Sequence, residues 1–291
     1  MKKLIIGDIH WNEKREKAFT PALDGINRVL FEHKKFDKII LLGDLFDKDP
    51  TNFERATFAN FIANLKKYTK KLLVVRGTGR HAYTNSVWHC KDLEELGILS
   101  SYEFIEQESY VFLHNDIIGL RYASGHLTDK GLDPKKFKGK KLVCGHYHSP
   151  LDNKNLTVLG SIYKTNFSEI YDEKRILIIE DDKFTFIPIE SRLMYQIVFT
   201  GVNGKIQNIK LPKEKEIDLK IIANTDTQTL PEVNRVIAKV KEKYNIEYYQ
   251  EEINIDSIKV DVPKNLDKKE LLKTYAEKQK CPFDIIEKEL K

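Results

Sequence analysis

No apolar run in this 291-residue chain approaches the roughly 18 residues that a membrane-spanning helix requires. The opening stretch MKKLIIGDIH carries Asp8 and His10 where a secretory signal would need apolar length, so a soluble, cytoplasmic protein is expected. Cysteine is scarce. Cys90, Cys144 and Cys281 are far apart and odd in number, which argues against a disulfide framework or a cysteine zinc site and suits a reducing compartment. An excess of charge of one sign is also missing: 49 Lys and Arg stand against 44 Asp and Glu, a balance that permits a nucleic-acid partner without arguing for one. The lysines of KKFKGKK (135–141) can touch phosphates, but the simpler reading is an exposed turn before a strand. Internal repeats and low-complexity segments are absent as well.

What is present is enough apolar residue, 41%, for a large core, and a length beyond one average domain, which suggests one large domain plus something smaller. Over the first 190 residues short runs rich in Val, Ile and Leu end in polar loops and are followed by amphipathic segments. KKLIIGD, FDKIILLGD, KKLLVVRG, DIIGLRYASG and GKKLVCG read as buried strands. Residues 21–34, 52–68 and 88–98 read as helices, the second with Phe53, Phe58, Phe61, Ile62 and Leu65 at helical spacing. Alternating strands and helices predict an α/β core.

From residue 156, LTVLGSIYK, RILIIED and KFTFIPI follow one another closely, with EDDK as a hairpin turn, and predict a second sheet packed on the first. Helices outside two stacked sheets would make a four-layer αββα sandwich over residues 1–192. After Ser191 the lysine-rich GVNGKIQNIKLPKEKE is the best boundary available. IDLKIIANT, LPEVNRVIAKVKEKY and IEYYQEEINI then read as strand, helix and strand, a small α+β (βαβ) module over 193–263. Residues 264–291 read as a helical tail with Leu271, Leu272 and Tyr275 on one side, too short for a core of its own.

The candidate chemistry lies where the runs end: Asp8 and His10 after the first, Asp44 and Asp47 after the second, His81 after the third, His126 after the fourth, His146 and His148 after the fifth. In an open α/β sheet such positions converge on one crevice. Residues i and i+2 of an extended segment point the same way, so Asp8 with His10, and His146 with His148, can each offer two ligands to one place. The glycines before Asp8, Asp44, His126 and His146 are expected to turn the chain out of the sheet. Mixed carboxylate and imidazole ligands suit manganese, iron or zinc better than calcium. So large a set, with Asp44 bridging, fits two ions roughly 3.5 to 4 Å apart, the arrangement that activates water and neutralises a phosphate. His33, His89 and His114 fall outside the pattern and are read as solvated or locally hydrogen-bonded.

GDIH, GDLFD, the Gly125–His126 pair and GHYH resemble the successive motifs of calcineurin-like metallophosphoesterases. Within them VLGSIYKTNFSEIYDEKRILIIE (158–180) is similar to the Gly-Ser, aromatic, Phe-x-Glu and Glu-Lys pattern of SbcD-type DNA repair nucleases. With the small downstream module standing where that family has its capping domain, the resemblance extends over essentially the whole chain and suggests a bacteriophage or bacterial recombination-nuclease subunit. It implies that Asp8, His10, Asp44 and His148 hold one metal and Asp44, His126 and His146 a second, with manganese the usual ion and magnesium, iron or zinc alternatives. It also implies DNA as substrate, at double-stranded ends and single-strand segments, a homodimer contacting through helix 52–68, and an SbcC-like coiled-coil ATPase receiving the tail. The module's glutamates argue against a wholly basic DNA groove.

The third motif departs from the family's Gly-Asn-His-Asp, in which Asn ligates the second metal and His assists catalysis. Here Gly77 is followed by Thr78, Gly79, Arg80 and His81. Anchored on Gly77, the motif has Thr78 for the Asn and Gly79 for the His, and the site is crippled. Anchored on His81, the favoured alignment, it keeps the imidazole, lengthens the loop by two residues and leaves the neutral ligand to Thr78, Asn85, water or nothing. Arg80 is a candidate bidentate phosphate contact or simply an exposed cation. The leading expectation is a two-metal DNA nuclease. Its rivals are a small-molecule phosphodiesterase or protein phosphatase of the same superfamily, and a DNA-end-binding scaffold with impaired catalysis.

Overall fold

The computed structural model describes residues 1–122, 125, 127–207 and 209–255; the expected tail, with Leu271, Leu272 and Tyr275, and Cys281 lie outside them. In chain order the elements are β1 (Lys2–Ile6), α1 (Glu16–His33), β2 (Lys38–Leu41), α2 (Asn52–Lys66), β3 (Leu72–Val75), a hairpin of β4 (Tyr83–Thr84) and β5 (Val87–Trp88), and α3 (Lys91–Glu95). Then come β6 (Ser100–Tyr102), β7 (Phe104–Glu106), β8 (Tyr110–Leu113), β9 (Lys141–Cys144), β10 (Leu151–Asp152), β11 (Leu156–Val158), β12 (Arg175–Glu180) and β13 (Lys183–Pro188). The chain continues with β14 (Leu193–Val202), β15 (Lys205–Gln207), β16 (Glu216–Thr225), α4 (Leu230–Lys243) and β17 (Asn245–Ile255).

Two sheets carry residues 1–188. The first runs β13-β12-β1-β2-β3-β6, with β1, β2, β3 and β6 parallel and the β12–β13 hairpin antiparallel at one side. The second runs β10-β11-β9-β8-β7, with β11, β9 and β8 parallel. Alternation along the central strands decides what each face meets. Leu4, Ile6, Ile39, Leu41, Leu72 and Val74 share a core with Phe19, Ala22 and Ile26 of α1 and Phe58, Ile62 and Leu65 of α2. Ile5, Ile40 and Val75 face the other way, against Tyr110, Phe112 and Val143 of the second sheet.

Three expectations change here. RILIIED and KFTFIPI do not start the second sheet; as β12 and β13 they extend the first, and Leu177 and Ile179 join the inter-sheet core while Ile176 and Ile178 join the helix-side core. A run buried on both faces fits either sheet, so its pattern could not say which. The described residues of DIIGLRYASG form only isolated β-bridges, at Ile117 and Arg121; the strand that takes its place is the shorter run just before it, β8 (Tyr110–Leu113). The outer face of the second sheet is covered by the loop after β8 rather than by helices. Ile117, Leu120, Leu132 and Phe137 of that loop pack on Val111, Leu113, Leu142 and Cys144, so the layers are helix, sheet, sheet and loop. Gly119, Gly125 and Gly131, all at positive φ, punctuate this loop against an α-helix, and only a 3₁₀ turn opened by Pro134 forms, over Pro134–Phe137.

Helix α1 starts before the expected residue 21 and runs through Pro21, forfeiting one backbone hydrogen bond. Phe53, read as part of the core stripe of α2, is 63% exposed. No helix of the described residues is long and apolar enough to cross a membrane. Cys90 and Cys144 are free and buried. Beyond residue 192, β15-β14-β16-β17 form a four-stranded sheet, so the lysine-rich stretch read as a linker contributes β15 as well as turns. The chain divides into two compact units, one of Met1–Val198, Lys210–Ile222 and Ile237–Glu252, the other of Phe199–Ile209, Ala223–Val236 and the residues from Ile253 on.

The start of α2 is a capping box in which Glu54 does double duty. Thr51 Oγ1 accepts from the Glu54 N–H at 3.1 Å and Glu54 Oε2 accepts from the Thr51 N–H at 2.8 Å, while Oε1 accepts from the Glu13 N–H at 3.0 Å. Glu54 thereby ties the entry of α1 to the entry of α2. Glu54→Ala, which strands two donors, is expected to cost about 1–3 kcal/mol of unfolding free energy, read from the urea midpoint, and Glu54→Gln less.

Candidate metal centre

Strands β1, β2 and β3 end at Ile6, Leu41 and Val75, and β8 and β9 at Leu113 and Cys144; the polar residues that follow come together. Asp8, His10 and His148 offer ligand atoms within 4.8 Å of one another, and so do Asp44, His114 and His146. A third set, His10, Asp47 and His81, shares His10 with the first.

Backbone hydrogen bonds lock these loops together. The His10 N–H donates to Asp44 O at 2.9 Å, the Ile162 N–H to Asp8 O at 3.0 Å, and the Tyr163 hydroxyl to His10 O at 2.8 Å. His10, Asp44 and His146 have φ of 47°, 36° and 76°, left-handed values that a side chain adopts only when its surroundings enforce them. Of the glycines expected to turn the chain, Gly43 and Gly125 do so at φ of 89° and 85°, whereas after Gly7 and Gly145 the positive φ falls on His10 and His146 themselves. Gly77 serves close approach instead, because a Cβ there would collide with Asp44. Since His146 is not extended, the i and i+2 rule fails at GHYH: His146 faces Asp44 and His114, while His148 faces Asp8 and His10.

Three imidazoles have one nitrogen engaged away from their partners in the cluster. His114 Nδ1 lies 2.6 Å from Leu42 O and must donate to it, which leaves Nε2, 3.1 Å from Asp44 Oδ2, as the nitrogen that faces the centre. His148 Nδ1 lies 3.0 Å from Glu169 Oε1 and 2.8 Å from Thr165 Oγ1. His146 Nε2 lies 3.2 Å from Asp116 Oδ1, so Nδ1 turns toward Thr78. Such outer partners fix the tautomer of a metal-binding histidine. Behind His148, Glu169 and Lys174 form a fully buried pair at 2.6 Å, and Lys174 Nζ also donates to His148 O and Ser161 Oγ.

The electrostatics describe a site built to receive cations. Asp8 Oδ1, both nitrogens of His10 and His114 Nε2 are buried without hydrogen-bond partners, a costly arrangement unless a cation uses them. Burial opposes ionisation of Asp44, but His114, His10 and the Thr78 N–H outweigh it and hold the carboxyl below the ordinary range. Burial likewise opposes charge on His114, yet Asp8 and Asp44 raise its pKa to about 10. At His148 burial is outweighed by Glu169, which raises the pKa. Burial lowers those of His10 and His146, helped by neighbouring imidazoles.

Among the other residues singled out in the sequence, Thr78 is at the site: its N–H donates to Asp44 Oδ1 at 2.9 Å and its Oγ1 is 3.4 Å from His146 Nδ1. His81 is there too, its ring 4.9 Å from that of His10 and its Nδ1 buried without a partner. Arg80 and Asn85 are exposed. Asp47 is half-buried, accepting from Asn12 Nδ2 at 3.0 Å. His126 lies outside the described residues. His114, read as peripheral, sits in the middle of the cluster; it follows directly on β8 and so obeys the same strand-end rule, applied to a run overlooked beside DIIGL. Glu169 and Lys174 give no such signal as ligands, since they act from behind one.

Fold and site together define a mixed α/β protein with a candidate centre for two divalent cations. Residues 1–78, which include Asp8, His10, Asp44 and Thr78, match the family model of the calcineurin-like phosphoesterases, marking a metallophosphoesterase domain at the N-terminus. No curated protein matches the chain.

A cation binding at His114 must displace the proton that Asp8 and Asp44 hold there. Manganese affinity is therefore expected to increase from pH 6 to pH 8, with proton release detected by titration calorimetry in buffers of different ionisation enthalpy. His114→Ala is expected to remove one manganese per chain and leave the set of Asp8, His10 and His148 loaded, as counted by metal analysis after gel filtration.

Proposed function

We propose that the protein is a two-cation phosphodiesterase that cleaves DNA at or near ends, as the nuclease subunit of an SbcCD-like recombination or repair complex. The observation that carries the hydrolytic reading is the pair of ligand sets, Asp8–His10–His148 and Asp44–His114–His146, in which Asp8 Oδ1, both nitrogens of His10 and His114 Nε2 are buried without a hydrogen bond. The choice of DNA is supported by the segment 158–180, whose resemblance to SbcD-type nucleases falls on residues that hold His148 and His10 from behind.

When bound, the cations would supply an activated water and neutralise the charge gathering on the phosphate. The chain's own side chains do the rest. Asp8, His10 and His148 would hold one cation; Asp44, His114 and His146 would hold the other, with the Thr78 hydroxyl, beside His146, available as a neutral ligand. His81, next to His10, is suited to hold a proton for the leaving 3′ oxygen. Arg80, exposed on the same loop, can approach a phosphate through two parallel N–H bonds. The reading extends to a homodimer meeting along α2, where Phe53 is exposed, and to an SbcC-like ATPase received by Leu271, Leu272 and Tyr275.

Manganese-dependent cleavage of linear duplex DNA is the expected activity. His81→Ala is expected to lower its rate by about 10²–10⁴-fold with the manganese isotherm unchanged. Undiminished cleavage would remove His81 from the chemistry. Hydrolysis of p-nitrophenyl esters without any of DNA would favour a small-molecule phosphodiesterase or phosphatase. Cation binding with neither activity, even with the ATPase added, would leave an end-binding scaffold.

A further inference from the structure

Arg15 follows the loop of His10 and stands at the entry to α1, its side chain 13% exposed. Nη1 donates to Thr165 O at 3.3 Å, and Nη2 donates to Lys164 O at 3.3 Å and to Asp218 Oδ2, on β16, at 3.1 Å. The guanidinium also lies over the ring of Tyr248, on β17, 4.4 Å from its centroid. Tyr248 in turn stacks on Phe167, with ring centroids 5.2 Å apart and planes 15° from parallel. The turn 164–169 is therefore held from β16 and β17 through Arg15 and Phe167.

That turn aims His148. The Thr165 hydroxyl donates to Glu169 Oε1, so toward His148 Nδ1, 2.8 Å away, its oxygen can only accept. Nδ1 therefore carries the hydrogen and Nε2 is left for a cation. Asp218 does not depend on Arg15 for its charge, because its Oδ1 accepts from Arg192 Nε at 3.1 Å and from the Tyr248 N–H at 3.0 Å. What removal of Arg15 takes away is the pair of bonds to the Lys164 and Thr165 carbonyls. The Asp44–His114–His146 set has its outer partners elsewhere, in Leu42 O and Asp116. We propose that Arg15, seated on Tyr248, is a positioning residue for His148, so that the cation affinity of the Asp8–His10–His148 set is governed from β16 and β17. This rests on the reading of that set as a cation site and not on cleavage of DNA.

The test is manganese titration calorimetry on the full chain. Outer partners of a metal-binding histidine are worth about 10–100-fold in affinity, so Arg15→Met and Tyr248→Ala are each expected to weaken one of two manganese ions about tenfold or more. Combined with His114→Ala, Arg15→Met should weaken the manganese that remains; combined with His148→Ala, it should leave the remaining one unchanged. Tyr248→Phe keeps the ring and should match the parent protein. Arg15→Lys should not, because a single ammonium lacks the planar fork that spans two carbonyls and lies flat on a ring. In EDTA at alkaline pH, nitrogen-15 histidine spectra are expected to show His148 as the Nδ1–H tautomer in the parent protein and as a mixture of tautomers in Arg15→Met. Manganese isotherms unchanged by Arg15→Met would overturn the proposal, and so would equal weakening of both ions with a lowered urea midpoint, which is a general loss of fold. A parent protein that binds no manganese would overturn the cation reading instead, and the histidine spectrum would then decide the role of Arg15.

Discussion

Asp8 and Asp44 are both almost devoid of solvent contact and both border the same imidazole, His114, at 3.5 and 3.1 Å. Removing a carboxylate from water costs several kcal/mol even after relaxation, so two in one place demand compensation. Part of it comes from the backbone, through the His146 N–H on Asp8 and the Thr78 N–H on Asp44. Part comes from the imidazoles. The orphaned oxygen of Asp8 and the orphaned nitrogens of His10 and His114 mark what remains, a deficit of positive charge that divalent cations would fill. The loops must approach closely for any of this, which is why Gly77 has no room for a side chain and why His10, Asp44 and His146 accept unfavourable backbone angles.

A second tier of interactions keeps the ligands aimed. Leu42 O, Asp116 and Glu169 each engage one nitrogen of a histidine and leave the other to the centre. Glu169 is itself charged and buried, and Lys174 balances it while also gripping the His148 carbonyl. An ion pair of this kind adds little net stability, but removal of either partner leaves an uncompensated charge. The segment 158–180 thus contributes orientation rather than ligands. A centre whose side chains are fixed beforehand spends little on reorganisation when substrate arrives.

The third loop departs most from the pattern of the family that the sequence resembles. It reaches the cluster twice, with Thr78 next to His146 and His81 next to His10. The two alignments left open by the residue order are therefore not exclusive in space. A single turn of 3₁₀ helix over Gly79–His81 joins the two, with Arg80 exposed.

Local order was the legible part. The apolar runs ending at Ile6, Leu41, Val75 and Cys144, the helical spacing after Thr51, and Asp8, His10, Asp44, His146 and His148 at strand ends all follow from period and position in the chain. What could not be read there depends on which surfaces meet. RILIIE is apolar on both faces, so only packing decided that β12 belongs beside β1. A four-residue run, YVFL, is too short to outrank DIIGL by pattern, so only the parallel pairing of β8 with β9 brought His114 into the centre. Glu169 and Lys174 stand out in sequence only as parts of the Phe-x-Glu and Glu-Lys resemblance, and become a buried pair because the chain after β11 folds back on His148. The sequence by itself determined the kinds of strands and the chemical character of their ends, since hydrophobic period and residue type are local properties. Tertiary structure alone decided which ends share a cation and which charges stand behind them, since those are distances between residues that the chain keeps far apart.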